Sequence, residues 1–504
     1  MRRITPALVV IMVLGFAALA AAATEVKMTG DARIWGNFFD NVNYTGWNTT
    51  GTKTYDNFTI WERFRLKTDF IANEGLKFRL GIRVNNAAWG SSTFTVDNPA
   101  VVIDVYQAFL QFKWPNTDVE FTIGLQDMDL PISSTSIFNS SPVFGGSRST
   151  AAIVAIPVTD QFKIVTGFTR LLDADSSGFQ SNTTATNANL DAYLLELPIT
   201  LDGFSATPWG VIAVAGSNAN YNTAVGSSPK VGNQTLVNSL LSAGTAYGAG
   251  PAAIAGFNAN GQLNNPRAYF KDATNVFWWA GSSFAVTALD PFKFYADVIY
   301  GQGNAGDYKK NERQGWFIDA GAEYTGLDMV TPQIAAWWST GEDKSTTNGS
   351  ERMPTIVQSW GPSGSFMFDN AGNQAYGAAS MMTNAVGNMG FAVSLNKMSF
   401  IQDLTHRLTF TYVHGNNNAR ALRTANSLWG VGNYVTMGRD LTDNEYSYGI
   451  NFDNQYNIYE NLAAIVETGW AHGEFQSSVW GHRMVHQAQD GDSWKCAFGL
   501  QYKF

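Results

Sequence analysis

The chain of 504 residues is poor in several things. It has a single cysteine, Cys496, so no disulfide framework and no cysteine-based zinc site can be built. Histidines number only 5. Charged residues make up 14%, well below the roughly one quarter of an ordinary soluble domain. The balance is negative, −9 with pI near 5.1, which argues against nucleic-acid binding. Long apolar runs are missing too. Beyond the first residues the longest is Ala151 to Val158, and it contains Pro157. A spanning helix needs about 20 mostly apolar residues. What is abundant is aromatic residues, 13% of the chain, and 48 glycines. That combination fits many short amphipathic strands, oily on one side and wet on the other.

The first 23 residues read as an address. Arg2 and Arg3 form a basic start, Ala7 to Ala20 an apolar stretch, and Ala21-Ala22-Ala23 a small-residue cleavage site. This predicts a cleaved export signal, 1–23, and a mature domain, 24–504. No cysteine follows the apolar stretch, so a lipid anchor is excluded.

The mature chain alternates with period two. Trp494, Cys496, Phe498, Leu500, Tyr502 and Phe504 form one face of the last segment; Ser493, Lys495, Ala497, Gly499, Gln501 and Lys503 form the other. Phe58, Ile60, Phe64, Leu66 and Phe70 alternate with Arg63, Arg65, Lys67 and Asp69. Leu76, Phe78, Leu80, Ile82 and Val84 alternate with Lys77, Arg79 and Arg83. Lipid offers no partner for an unpaired N–H or C=O, so strands can cross a bilayer only as a closed barrel. Turning Arg63, Arg65 and Lys67 toward lipid would cost about 2–4 kcal/mol each near the midplane, which fixes the phase. Glu62 falls on the apolar side and marks either an interfacial position or a bulge.

Such segments number about eighteen, with sixteen as the alternative. They fall near 25–39, 57–72, 76–88, 102–114, 119–129, 150–158, 161–171, 189–199, 207–217, 274–288, 292–302, 313–325, 329–340, 388–399, 405–415, 444–454, 461–471 and 493–504. Tight turns such as Asn73-Glu74-Gly75 and Leu289-Asp290-Pro291 alternate with long polar connections, among them 40–56, 130–149, 218–273, 341–387 and 416–443. The expected fold is all-β: a transmembrane antiparallel barrel, both termini periplasmic. Trp278, Trp279, Trp337, Trp338, Trp470, Tyr300 and Tyr324 lie where an interfacial aromatic girdle would. Strand number decides openness, because barrels of about 16–18 strands leave an aqueous channel.

Two features bear on function. The third long connection, Asp127 to Ser149, contains Asp127, Asp129 and Pro142-Val143-Phe144-Gly145-Gly146, followed by Arg148. Arg33, Arg63, Arg65, Arg79 and Arg83 share the inward phase on the first three strands and form a basic wall opposite. Such an eyelet sorts ions by sign and leans toward anions. The bland alternative is that these arginines pair with Asp31 and Asp69 to stay solvated.

Pro142-Val143-Phe144-Gly145-Gly146 resembles the Pro-Glu-Phe-Gly-Gly stretch in the inward-folded third extracellular loop of general diffusion porins. Val143 replaces the acid; Asp127 or Asp129 is the substitute. The start Thr24 to Gly36 and the ending Leu500-Gln501-Tyr502-Lys503-Phe504 resemble the homotrimeric outer-membrane porins of sulfate-reducing and related bacteria. The resemblance implies a bacterial outer-membrane location, passive diffusion of small hydrophilic solutes and ions, contact with outer-membrane lipid, and a homotrimer. It also implies a terminal signal, Tyr502 and Phe504, read by the barrel-assembly machinery. The segment 42–56 is a candidate trimer latch. No cofactor, metal or catalytic residue is expected. Gly301-Gln302-Gly303-Asn304-Ala305-Gly306 reads as a barrel loop, because no amphipathic helix follows it. Asp173 to Thr184 lacks the twelfth-position Glu of a calcium loop. His482 and His486 lie in a loop without a third ligand, and His406, His414 and His472 have no matching nucleophile, so an enzyme is not expected. The alternatives are an adhesin or receptor displaying 218–273 and 341–387, and a substrate-selective channel.

Overall fold

The computed structural model describes residues 24–41, 44, 57–90, 96, 103–173, 189–216, 274–304, 312–345, 348–356, 360–362, 364–368, 384–423, 437–486 and 491–504. The export signal 1–23, most of the candidate latch 42–56, the connection 218–273 and most of the calcium-like segment lie outside these residues.

Nineteen strands follow one another as β1 (Glu25–Asp40), β2 (Asn57–Asn73), β3 (Leu76–Ala88), β4 (Ile103–Lys113), β5 (Glu120–Met128), β6 (Ser147–Pro157), β7 (Lys163–Asp173), β8 (Asn189–Glu196), β9 (Ile199–Leu201), β10 (Phe204–Gly216), β11 (Thr274–Val286), β12 (Phe292–Asn304), β13 (Glu312–Tyr324), β14 (Thr331–Ser339), β15 (Asn388–Ile401), β16 (Leu404–Gly415), β17 (Tyr446–Tyr459), β18 (Leu462–Glu474) and β19 (Asp492–Lys503). Each pairs antiparallel with its neighbours, and β1 pairs with β19, from Asp31↔Lys503 to Asp40↔Trp494, so the sheet has no free edge. β8 and β9 both pair with β10 and form one stave. The result is a closed antiparallel barrel of eighteen staves.

The segment 189–199, expected as one strand, is broken at Leu197-Pro198. Proline has no N–H for the ladder. Leu197 N–H instead donates to Pro208 O (2.8 Å), and Pro198 O accepts from Lys163 N–H (3.1 Å). The run Gly301–Asn304, expected as a loop, continues β12 and pairs with β13 as far as Glu312. His482 and His486, placed in a loop by sequence, bound a short helix α2 (His482–His486) that follows α1 (Ser477–Trp480). No helix among the described residues is long and apolar enough to cross a membrane.

The two faces of the sheet differ as the alternation demands. Ile34, Ile123, Ile212, Ile318, Val393 and Leu500 point outward from strands all round the barrel, each 39–50% exposed. A ring of bare aliphatic groups this broad is what a bilayer covers. Glu62 sits beside a register shift between Glu62 and Phe64 and accepts from Trp89 Nε1–H (3.1 Å). Inside, described parts of the connections after β5 and β14 pack against the wall. The girdle expectation is corrected at two positions: Trp278 and Trp338 face outward, but Trp279 and Trp337 are turned in and buried. Adjacent residues on a strand face opposite ways, so only one of each pair can reach lipid. Trp279 Nε1–H donates to Pro354 O (2.7 Å) and Trp337 Nε1–H to Asn388 Oδ1 (2.7 Å).

Candidate functional site

The five predicted arginines meet on one inner wall. Register places Arg33 opposite Arg63, Asp31 opposite Arg65, Arg65 opposite Arg83, and Asp69 opposite Arg79. Asp31 takes three of them: Arg33 Nε at 3.0 Å, Arg63 Nη2 at 2.9 Å and Arg65 Nε at 2.7 Å. Arg79 grips Asp69 with Nε and Nη2, both at 2.6 Å. Arg83 Nη2 reaches Asp104 at 3.0 Å. Each of the five arginines is therefore paired with a carboxylate on the same inner face. Five guanidiniums face three carboxylates, so the wall keeps a positive excess. Their side chains stay 11–26% exposed, so water reaches them.

The wall continues onto β4, β5 and β6. A register shift between Gly81 and Ile82 inserts Tyr106 as an extra residue, and both Tyr106 and Gln107 are buried there. Gly81 fits this crowded point: a Cβ would sit 3.0 Å from Gln107 Cβ and 3.1 Å from the Tyr106 ring, so those side chains would have to give way by a few tenths of an ångström. Arg148 lies over that ring at 4.8 Å and pairs with Asp127 at 2.8 Å, while Gln107 Nε2–H donates to Asp127 at 2.6 Å.

The connection 129–146 is tied by Asp129. Its carboxylate accepts from Ser140 Oγ–H (2.9 Å) and from the Gly146 N–H. Gly146 has φ of +60°, and a Cβ on Gly145 would strike Ser140 Oγ and Ser141, which accounts for the Gly-Gly pair. Pro142, Val143 and Phe144 are buried. Both candidate acids are thus engaged, Asp127 by Arg148 and Asp129 within its own connection. Ser133 of this connection bonds Asp297 on β12, six staves away.

A second connection, 340–368, contributes residues that sequence reasoning had not singled out. Trp360 stacks on Phe138 (5.7 Å) and lies edge-on to Phe317 (5.2 Å) and Trp337 (5.1 Å). The two connections also bond directly: Asn139 N–H to Gly361 O (3.1 Å) and Ile356 N–H to Val143 O (2.8 Å). Further on, Phe366, Met367 and Phe368 are fully buried against β15–β19. Asn451 Nδ2–H donates to Gly364 O (3.0 Å), and Lys495 Nζ lies 4.0 Å over the Phe366 ring. Only the scattered Met and aromatic residues within a polar stretch signalled this packing.

Above the wall, buried acids join the connections. Arg352 pairs with Asp440 at 2.5 Å. Glu445 accepts from Gln476 N–H (2.6 Å) and Trp480 Nε1–H (2.8 Å), and burial raises its pKa. Glu342 accepts from Ser350 Oγ–H, and burial pushes its carboxyl up to about 7.

The terminal pair lies at the closure seam. Phe504 exchanges backbone bonds with Gly30 (2.8 and 3.1 Å) and stacks on Phe64 at 6.1 Å; Tyr502 packs on Phe504 at 5.7 Å. His406 faces outward against Phe452. His472 is held by Asp492 at 2.8 Å. No group of three His, Cys, Asp or Glu among the described residues could hold a metal ion.

No model of a known protein family matches the sequence, and no curated protein does. Solved structures do. OccAB1 of Acinetobacter baumannii matches with a TM-score of 0.50 at 10% identity, over 96% of this chain and 99% of that one. The likeness is one of fold. The outer membrane protein OprD of Pseudomonas aeruginosa matches with 0.49 at 11% identity, over 96% of each chain. OccK2 of the same organism, solved in complex with glucuronate, matches with 0.49 at 11%, over 95% of this chain and 98% of that one.

Proposed function

We propose that the chain is a channel of the bacterial outer membrane through which small hydrophilic solutes and ions diffuse passively. The observation that carries the reading is an apolar belt around a closed eighteen-stave barrel whose interior keeps a water-accessible arginine wall. An open eyelet of a general diffusion pore fits less well than a narrowed, selective passage. Two connections fill part of the cross-section, leaving solutes to pass along the arginines. The positive excess there favours anions. The export signal 1–23, the assembly role of Tyr502 and Phe504, and a homotrimer with 42–56 as latch belong to the same proposal. Nothing in it calls for a cofactor or a catalytic step.

Planar-bilayer recording of the purified protein tests it. The expected result is a small unit conductance with a reversal potential on the anion side in a salt gradient. Three equal closing steps would support three pores per particle. In Arg63→Gln, Arg79→Gln the anion preference should weaken. A silent bilayer would sink the channel reading, and cation preference indifferent to those substitutions would sink the role given to the wall.

A further inference from the structure

Asp297 on β12 and Asp319 on β13 are register partners with inward side chains, 2% and 1% exposed. The two residues face each other across β12 and β13, Asp319 Oδ1 is buried without a hydrogen-bond donor, and among the described residues no basic side chain is a partner of either. Their surroundings are uncharged: Ser283 opposite Asp297 on β11, Tyr295 and Ile299 on β12, Phe317 and Gly321 on β13, and Trp337 opposite Asp319 on β14. The nearest charges along these strands are engaged elsewhere. Glu323 pairs with Lys293 (3.5 Å) and accepts from Tyr295 OH (3.0 Å); Arg313, toward the other rim, donates to Met353 O (3.3 Å).

Each acid holds a different connection. Ser133 donates to Asp297 through its N–H (3.0 and 3.1 Å) and its Oγ–H (2.7 Å). Trp360 Nε1–H donates to Asp319 at 2.9 Å. Two buried carboxylates on paired strands, without a cation, cannot both ionise comfortably; one proton held between them makes one carboxyl the donor and the other, through the unpartnered Asp319 Oδ1 or its Asp297 counterpart, the acceptor. The shared proton then leaves the remaining oxygens as acceptors, the role Ser133 and Trp360 require.

We propose that Asp297 and Asp319 form a proton-sharing latch that pins both connections to the wall, and that loss of the shared proton releases them. The proton goes to bulk water through the lumen. Two adjacent anions remain, their side chains part, and the bonds to Ser133 and Trp360 are strained. The consequence for transport rests on the channel reading: the latch sets the width of the passage. The latch itself does not depend on that reading.

The test is a spin-label distance in the full-length protein. Labels go on Thr135→Cys, exposed in the first connection, and Asp328→Cys, in the turn between β13 and β14, in a Cys496→Ser background. Double electron–electron resonance should give one short distance at about pH 5 and a longer population at about pH 9. Asp297→Asn should keep the short distance at both, because its amide donates to Asp319 while its carbonyl still accepts from Ser133. Asp319→Asn serves as the second variant, and retention of the folded barrel's gel mobility shows that each variant folds. Conductance recorded in parallel should rise with pH in the parent and stay flat in the variants. A distance indifferent to pH in the parent, or variants that open as the parent does, would overturn the latch. Moving distances with no current at any pH would uphold the latch and remove the channel. Current with fixed distances would do the reverse.

Discussion

The wall of β1–β4 and the wall of β11–β19 are built on the same alternation, yet the first is left more open to water than the second. On the first wall, arginine side chains are 11–26% exposed and share three aspartates. On the second, Asp453, Glu467, Thr409 and Lys495 are almost wholly covered, and so are Trp279 and Phe317. Strand sequence does not decide between them, since both carry polar inward residues. The difference is what sits on top. Connections 129–146 and 340–368 seat aromatic and Met side chains over the second wall, and several of the polar groups beneath are bonded to one another or to the connection. Arg407 Nη2, for instance, reaches Asp453 at 2.8 Å. Alternation makes an interior that tolerates water; the long connections choose which part keeps it.

The sharpest way to break the contrast is to remove the residue that joins both connections to the dry wall. Trp360→Ala deletes contacts to Phe138, Phe317 and Trp337 and the donor to Asp319. Large aromatic truncations of this kind cost about 3–5 kcal/mol. Conductance should rise and protease cleavage within 340–368 should quicken, while the barrel keeps its folded gel mobility. Unchanged conductance and cleavage would mean that the dry side is held by other contacts.

A smaller effect comes from the wet side. Asp31 binds three arginines at 2.7–3.0 Å. Asp31→Asn leaves those guanidiniums facing one another, at a cost of about 2–4 kcal/mol given charge-assisted bonds in a partly hydrated site. Thermal unfolding should come earlier, and the reversal potential should move further toward anions. A shift toward cations would contradict the wall's role.

How far these two regions could be read beforehand follows from which contacts are local. Period two located all eighteen staves, because each residue's phase depends only on its neighbours in sequence. The same phase brought Arg33, Arg63, Arg65, Arg79 and Arg83 to one wall. Phase alone also shows that Trp278 and Trp279 cannot both face lipid, because adjacent residues on a strand point to opposite faces. Pro198 interrupts a stave for a reason equally visible in sequence. The pairing of Asp297 with Asp319 was not visible, since it depends on register across a turn. Nor was the seating of Trp360 on Phe138, residues far apart in sequence whose meeting is set by the closed barrel. The stretch 341–387 looked merely polar; Met353, Ile356, Trp360 and Phe366 acquire meaning only when a wall is present to receive them.

The rim above the dry wall should respond to pH in a definite sense. Glu342 is buried, and that burial pushes its carboxyl up to about 7 from the ordinary 4.5. Between those values the folded connection holds a proton that the unfolded chain has released. Its contribution is therefore complete below about 4.5 and is lost as pH rises through about 7, in all about 1–3 kcal/mol. Local opening should be seen at the amides it organises: Glu342 N–H, which donates to Asn417 Oδ1 (3.1 Å), and Asn418 N–H, which donates to Glu342 O (2.8 Å). Hydrogen exchange there, corrected for the intrinsic effect of pH, should quicken between about pH 5 and pH 8. Glu342→Gln keeps a neutral acceptor for Ser350 and should flatten that slope. Equal slopes in both proteins would show that the rim is held by Arg352–Asp440 and Glu445 alone, and that the covered side owes nothing to this proton.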